Sequence, residues 1–331
     1  GDIVSIAGIA EINVGETVAE DVKAEALPAI QIDRPTLTME FLVNNSPFAG
    51  QDGKYVTSRQ IRERLERELE TNVGLEVHFP DSAEVFQVSG RGEMHLAVLI
   101  ETMRREGFEL QVSQPRAIIT EVDGVKNEPY ESVVIDVPDD SAGAVIEALG
   151  KRKGEMTTMA SENGSTRLEY LIPTRGLLGY RTDFMTSTKG EGTLSHIFSH
   201  NGPYKGDIER RTTGSMISGF NGKTLAFSLN NLQQRGALFI GPQVDVYEGM
   251  VIGSSAKDTM VVNPIKGKQL TNMRSSGADD AINLTPPLDM NLERALEYID
   301  SDEYVEITPD NIRIRKRHLT ESARKKNGSK N

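Results

Sequence analysis

Residues 85–112 read VFQVSGRGEMHLAVLIETMRREGFELQV, and the order of patterns within them decides the fold. The run 85–88 is β-prone and is closed by Gly90. From Glu93 the apolar residues Met94, Ala97, Val98 and Met103 recur at helical spacing, and Gly107 marks the stop. A second β-prone run follows at 109–112. Working upstream, 36–43 is β-rich, Thr57 and Gln60 stand at capping-box spacing, and Ile61, Leu65 and Leu69 recur every four residues. The other face of that helix carries Arg59, Arg62, Glu63, Glu66 and Arg67, spaced for ion pairs along the helix. A strand at 75–79 joins the two halves. The sum is β-α-β-β-α-β, the ferredoxin-like arrangement.

Downstream the order repeats. A strand at 132–137 leads to Ser141 as helix N-cap, with Val145 and Leu149 facing inward and Gly154 as the stop. Asn163-Gly164 is a hairpin turn between 156–160 and 167–172. A helix at 177–186 and a strand at 193–199 close the unit. Both units place an Arg-Gly pair near the start of the second helix, Arg91-Gly92 and Arg175-Gly176. From about residue 201 the texture changes to glycine-punctuated strands at 225–229, 244–246, 260–262 and 282–284, a helix from Asn291 to Ile299, and a last strand at 312–317. Residues 2–8 and 12–18 read as two strands, too few to bury a core, so they are expected to close a β-barrel. The class is α+β: two tandem ferredoxin-like sandwiches followed by a mostly-β domain. The expected divisions are 1–34, 35–115, 116–201 and 202–331.

The chain has 331 residues, 37% of them hydrophobic and 26% charged, with no cysteine and a net charge of −12. It can bury more than one core. Disulfides and thiolate metal sites are excluded, which suits a reducing compartment. No run reaches the roughly 18 apolar residues of a membrane span, and no signal peptide opens the chain. An acidic body does not bind nucleic acid as a whole; only local cation clusters can. One such region runs from Arg313 to Lys330, opposed only by Glu321, and its part from Arg324 onward reads equally well as a solvated tail.

Several stretches carry a family resemblance. Ser89-Gly90-Arg91-Gly92-Glu93-Met94-His95-Leu96 resembles the signature of the third domain of elongation factor G. Gly176-Leu177-Leu178-Gly179-Tyr180-Arg181, continued by Gly190-Glu191-Gly192 and Phe198-Ser199-His200, resembles its fifth domain. The opening residues 1–18 resemble the closing strands of the barrel that follows the GTP-binding domain in translation factors. No further large domain separates the two sandwiches, as it does in elongation factor G. LepA shares that order but ends differently. Residues 266–274 and 312–321 are similar to the last domain of the TypA/BipA family. The resemblance covers essentially the whole chain. It implies the carboxy-terminal portion of a cytoplasmic translational GTPase that binds the ribosome at the elongation-factor site. It further implies roles in large-subunit assembly and in growth under cold or stress. The implied partners are ribosomal RNA, ribosomal proteins and the acceptor end of a transfer RNA, engaged by a monomer without a membrane. GTP and magnesium would belong to a GTP-binding domain outside this chain.

Read for chemistry, the residues offer no catalytic, cofactor or metal site. Gly219-Phe220-Asn221-Gly222-Lys223-Thr224 fails the phosphate-loop spacing, because Ile217 stands where its first glycine is needed. It reads instead as a turn entering a strand. His196 and His200 share one face of an extended strand, but no third ligand accompanies them. His95 is expected to be a hydrogen-bonding residue at a helix start. The RNA-binding candidates are Lys266, Lys268 and Arg274 on a loop with glycines and serines. Arg313, Arg315, Lys316 and Arg317 form a second set. The three arginines of that set share a strand face and either contact RNA or offset Asp300, Asp302, Glu303 and Glu306. The competing function is a small-molecule sensor built on ferredoxin-like units, and fold alone does not decide.

Overall fold

The computed structural model describes residues 1–9, 12, 14–21, 23–28, 34–80, 84–208, 211, 213–267 and 283–328. The first sandwich consists of β1 (Leu37–Val43), α1 (Ser58–Leu69), β2 (Glu76–His78), β3 (Val85–Gly90), α2 (Glu93–Arg105) and β4 (Leu110–Ser113). Its strands lie in the order β4-β1-β3-β2, all antiparallel. The capping box of α1 is present in full: Thr57 Oγ1 accepts from the Gln60 amide, and Gln60 Oε1 accepts from the Thr57 amide at 3.1 Å. Ile61 and Leu65 are buried, while Arg59–Glu63 and Arg62–Glu66 pairs run along the outer face. The buried face of α2 differs from the expected one. Leu96, Ala97, Leu99, Ile100 and Met103 face the core, whereas Met94 and Val98 are exposed. Residues 94–100 are apolar almost all round the helix, so the period alone does not select a face; packing on the sheet does.

A two-residue strand, β5 (Arg116–Ala117), adds to β1, and β6 (Thr120–Val122) pairs with the start of β7 (Val125–Pro138). Asp123 and Gly124 join them at φ of 54° and 77°, the primed turn that a right-handed strand twist favours. The second sandwich continues with α3 (Asp139–Lys151), β8 (Glu155–Glu162), β9 (Ser165–Pro173), α4 (Thr174–Leu177), α5 (Arg181–Ser187) and β10 (Thr193–Pro203). Its order, β10-β7-β9-β8, repeats that of the first. Asn163-Gly164 forms the expected hairpin turn, again with both φ positive. Ser141 is not the N-cap; α3 starts two residues earlier, after Pro138. The expected helix 177–186 is two short helices, because Gly179 adopts a φ of +67° and breaks the ladder. Val145 and Leu149 pack with Val133, Ile135, Leu168 and Ile172 in a core belonging to this unit.

The remaining elements are β11 (Gly214–Ser218), β12 (Gly222–Lys223), α6 (Ala226–Leu232), a 3₁₀ turn (Gln233–Arg235), β13 (Asp245–Val246), β14 (Met250–Ser255), β15 (Met260–Val262), α7 (Leu292–Tyr298), β16 (Glu303–Ile307), β17 (Ile312–Lys316) and α8 (Glu321–Gly328). The expected strand at 225–229 is helix α6, since Leu225, Leu229 and Leu232 repeat at helical spacing and the last two enter the core. No strand forms at 283–284, and residue 282 lies outside the described residues. α7 begins where Asn291 caps it, its side chain accepting from the Arg294 amide at 2.9 Å. The basic end is helical through Gly328 rather than a free tail. The described residues of 1–28 hold no strand and are exposed, Ile3 and Leu27 included. No helix among the described residues is long and apolar enough to cross a membrane.

The sheet topology holds the least local feature. β16 pairs antiparallel with β4, with Val305 opposite Val112 and Ile307 opposite Leu110. One ten-stranded sheet therefore runs β15-β11-β14-β17-β16-β4-β1-β3-β2, with β5 alongside β1. Its shared core contains Leu110 and Val112 from the first sandwich together with Val305, Ile307 and Ile314 from the last elements. The second sandwich contributes one residue to that core, Leu178, and its Thr182 amide donates to Glu297 Oε1 on α7 at 3.2 Å.

Candidate nucleic-acid interface

The cations of the last elements divide into two sets. The first is enclosed. Lys316 is 4% exposed and lies 2.9 Å from both Glu303 and Asp302. Glu303 is fully buried and also meets Arg211 at 3.1 Å and the Ser215 hydroxyl at 2.8 Å. Burial alone would raise the Glu303 carboxyl; the charges of Lys316 and Arg211 outweigh it and hold its pKa below the ordinary value. Arg313 bonds Glu306 at 2.9 Å, and Glu306 accepts from Tyr247 Oη at 2.7 Å and from Asn44 at 3.2 Å. Arg315 is 2% exposed, its guanidinium bonded to Gln111 and Asn45, and burial pushes its pKa down. Arg317 reaches Glu40 at 3.3 Å and lies over the Tyr304 ring. Arg313, Arg315 and Arg317 thus share a strand face, and that face is packed against the rest of the molecule. Of the carboxylates these arginines were expected to offset, Arg313 meets Glu306, whereas Arg315 is held by the Gln111 and Asn45 amides, Arg317 by Glu40, and it is Lys316 that takes Asp302 and Glu303. Buried charges persist where they are paired and hydrogen-bonded.

Of the second set, Lys266 alone lies among the described residues. Lys266 is exposed and has no ion-pair partner among the described residues. It follows a loop fixed by backbone and side-chain bonds: the Leu225 amide donates to Pro264 O at 3.0 Å, the Ile265 amide to Asn263 Oδ1 at 3.1 Å, and Ser228 Oγ to Asn263 O. Ile265 packs near Gly222 of β12, and the next residue, Lys223, has a side chain that is 61% exposed and stands 3.8 Å from Asp245. Phe220, at the end of β11, is 48% exposed. Lys268 and Arg274 lie outside the described residues. Lys223 and Phe220 went unmarked in the sequence because they fall in the string weighed as a phosphate loop and then read as a turn entering a strand. Their exposure has no sequence signal.

That string has a different use in the fold. Thr224 is fully buried, donating to Gly241 O at 2.8 Å and accepting from the Val244 amide at 3.0 Å, so its hydroxyl does not face solvent. The histidines separate as well. His196 lies opposite Val133 and its ring is bonded to Glu131, whereas a register shift between Phe198 and His200 turns His200 onto the Tyr130 ring at 5.3 Å. The expectation of one shared face fails at that bulge. Hydrogen bonding to Glu131 raises the His196 pKa. His95 accepts from the Arg91 amide through Nδ1 and faces Asn72 through Nε2, a lock on the start of α2.

Residues 213–321 match the family described as the TypA/BipA C-terminal domain, and residues 125–212 match the elongation factor G C-terminus. Proteins named large ribosomal subunit assembly factor BipA are similar along nearly the whole chain. The one from Salmonella typhimurium is 52% identical over 329 residues, covering 98% of this chain and 54% of its own length. That of Haemophilus influenzae is 54% identical over 329 residues, covering 98% and 53%. That of Synechocystis is 54% identical over 318 residues, covering 96% and 53%. The chain therefore spans about half the length of the curated relatives it matches. Carrying an elongation factor G-type unit followed by the domain specific to TypA and BipA, the chain belongs to the TypA/BipA family and corresponds to its carboxy-terminal part.

Proposed function

We propose that this chain is the ribosome-engaging portion of a large ribosomal subunit assembly factor. The observation that carries the reading is the 52–54% identity, sustained along almost the whole chain, to relatives that bear that name. On this reading the chain supplies binding surface, and GTP with magnesium belongs to a part of the relatives that it does not span. Its partners are ribosomal RNA and proteins and the acceptor end of a transfer RNA, met in the cytoplasm by a monomer. Because the net charge is −12, contact with RNA must be local. Lys266, continuing through Lys268 to Arg274, supports this role better than the enclosed set from Arg313 to Arg317. The small-molecule alternative gains nothing from these relatives.

Co-sedimentation with isolated ribosomal subunits tests the reading. Preferential pelleting with large subunits is expected. Equal pelleting with both subunits, or none, overturns it.

A further inference from the structure

We propose that Phe220 is a stacking platform for an unpaired RNA base, with Lys223 and Lys266 as flanking phosphate contacts; the source of that RNA, the ribosome and its ligands, rests on the function proposed above. The chain has ten phenylalanines and eight tyrosines, all described, and Phe220 is the one that stands exposed. Every other ring is at least partly covered. The backbone that carries the ring is hydrogen-bonded on several sides. Ser218 Oγ donates to Phe220 O at 2.8 Å and accepts from the Phe220 amide at 3.3 Å. The preceding Gly219 amide donates to Val262 O at 2.9 Å, and Asn221 Oδ1 accepts from the Glu248 amide at 2.7 Å. A backbone segment ordered before binding loses little conformational freedom when a base lies on the ring it carries.

The charges beside the ring set the chemistry of its occupant. Ile265 lies 3.5 Å from where a side chain on Gly222 would begin, and Leu225 lies 3.7 Å from the same point on Gly267. Lys266, between Ile265 and Gly267, therefore lies near the 222–225 segment that carries Lys223, and Phe220 stands two residues before that segment in sequence. The Lys223–Asp245 pair is exposed on both sides, which leaves the ammonium available to a phosphate. Val261, 42% exposed, lies against Gly219 and widens the apolar surface. A protein contact is thus the competing occupant. The cations favour a polyanion: an aromatic face with adjacent lysines is how proteins hold single-stranded nucleic acid, the base on the ring and the backbone on the charges.

The test uses the 331-residue chain and two probes, a short single-stranded RNA and a blunt RNA duplex, with Phe220→Leu, Phe220→Tyr and Lys266→Ala. Phe220→Leu keeps apolar bulk without a π face and should weaken single-strand binding roughly tenfold, with the salt slope and duplex binding unchanged. Phe220→Tyr should bind like the unaltered chain. Lys266→Ala should instead lower the slope of log affinity against log salt by about 0.7. Melting temperatures should stay level, because the ring is exposed. Equal single-strand binding by Phe220→Leu overturns the proposal, as does an equal loss by Phe220→Leu and Phe220→Tyr. A loss of ribosome binding with oligonucleotide binding intact assigns the ring to a protein contact and overturns it as well. Failure of the ribosomal reading shows separately, as absent co-sedimentation of the unaltered chain with large subunits.

Discussion

Lys316 and Glu303 are both buried and meet at 2.9 Å, with Asp302 as a second partner of the lysine and Arg211 of the glutamate, so each charge is tolerable because it is paired. Lys316→Met should cost about 3 kcal/mol of stability, the usual consequence of leaving a buried charge short of its partner, and chemical denaturation reads it as a shifted midpoint. The same variant should leave the salt dependence of RNA binding untouched; a changed slope with unchanged stability would return Lys316 to the RNA-facing set. The sign of the pH effect follows from the lowered Glu303 pKa. Its contribution is present above the ordinary carboxylate value and is lost as pH falls through the lower folded value. His196 acts in the opposite direction. Its pKa is raised above 6.5 by the bond to Glu131, with Glu93 adding to the effect and Arg181 opposing it. The stability it gives is full below about 6.5 and is lost as pH rises through the folded value. His196→Gln should therefore lower the melting temperature more at about pH 6 than at about pH 9, and equal losses at both would exclude a charged pair with Glu131.

At the scale of elements, β16 decides which parts of the molecule unfold together. Ile307 is fully buried opposite Leu110 across the β4–β16 seam, so Ile307→Ala should cost about 2–5 kcal/mol. Because the seam lies inside one sheet, the loss should register equally on probes placed in the first sandwich and in the last domain. Leu168→Ala, in the separate core of the second sandwich, should destabilise that unit with less effect on the joint sheet. Independent unfolding of the first sandwich and the last domain would contradict the shared core. The two βαββαβ units were legible because their signals are local: a capping box at Thr57, four-residue spacing in α1, and a turn at Asn163-Gly164. The β4–β16 pairing was not, since it joins distant segments and nothing near Val112 or Val305 names a partner. α6 was misread because its leucines are few, and the inner face of α2 because almost every face is apolar. At the candidate site, Lys266 stood out as a cation on a glycine-containing loop, whereas the burial of Arg315 depends on strands that sequence alone did not place.

The whole molecule carries a net charge of −12, and on the function proposed above its consequences are about binding. The chain should show no saturable binding of GTP in equilibrium dialysis. Thr224, the residue that would face magnesium in a phosphate loop, is turned inward and hydrogen-bonded on both sides, and saturable binding would show that another site exists. The central claim, that this chain engages the large ribosomal subunit through the loop beginning at Lys266, is tested most directly by a salt titration. Affinity for isolated large subunits would be measured at several salt concentrations for the unaltered chain and for Lys266→Ala, Lys268→Ala and Arg274→Ala combined, with melting temperatures alongside. The account predicts weaker binding by the triple variant, unchanged melting, and a slope of log affinity against log salt reduced by about 0.7–0.9 for each phosphate contact removed. Identical affinity and slope for the two proteins would contradict it.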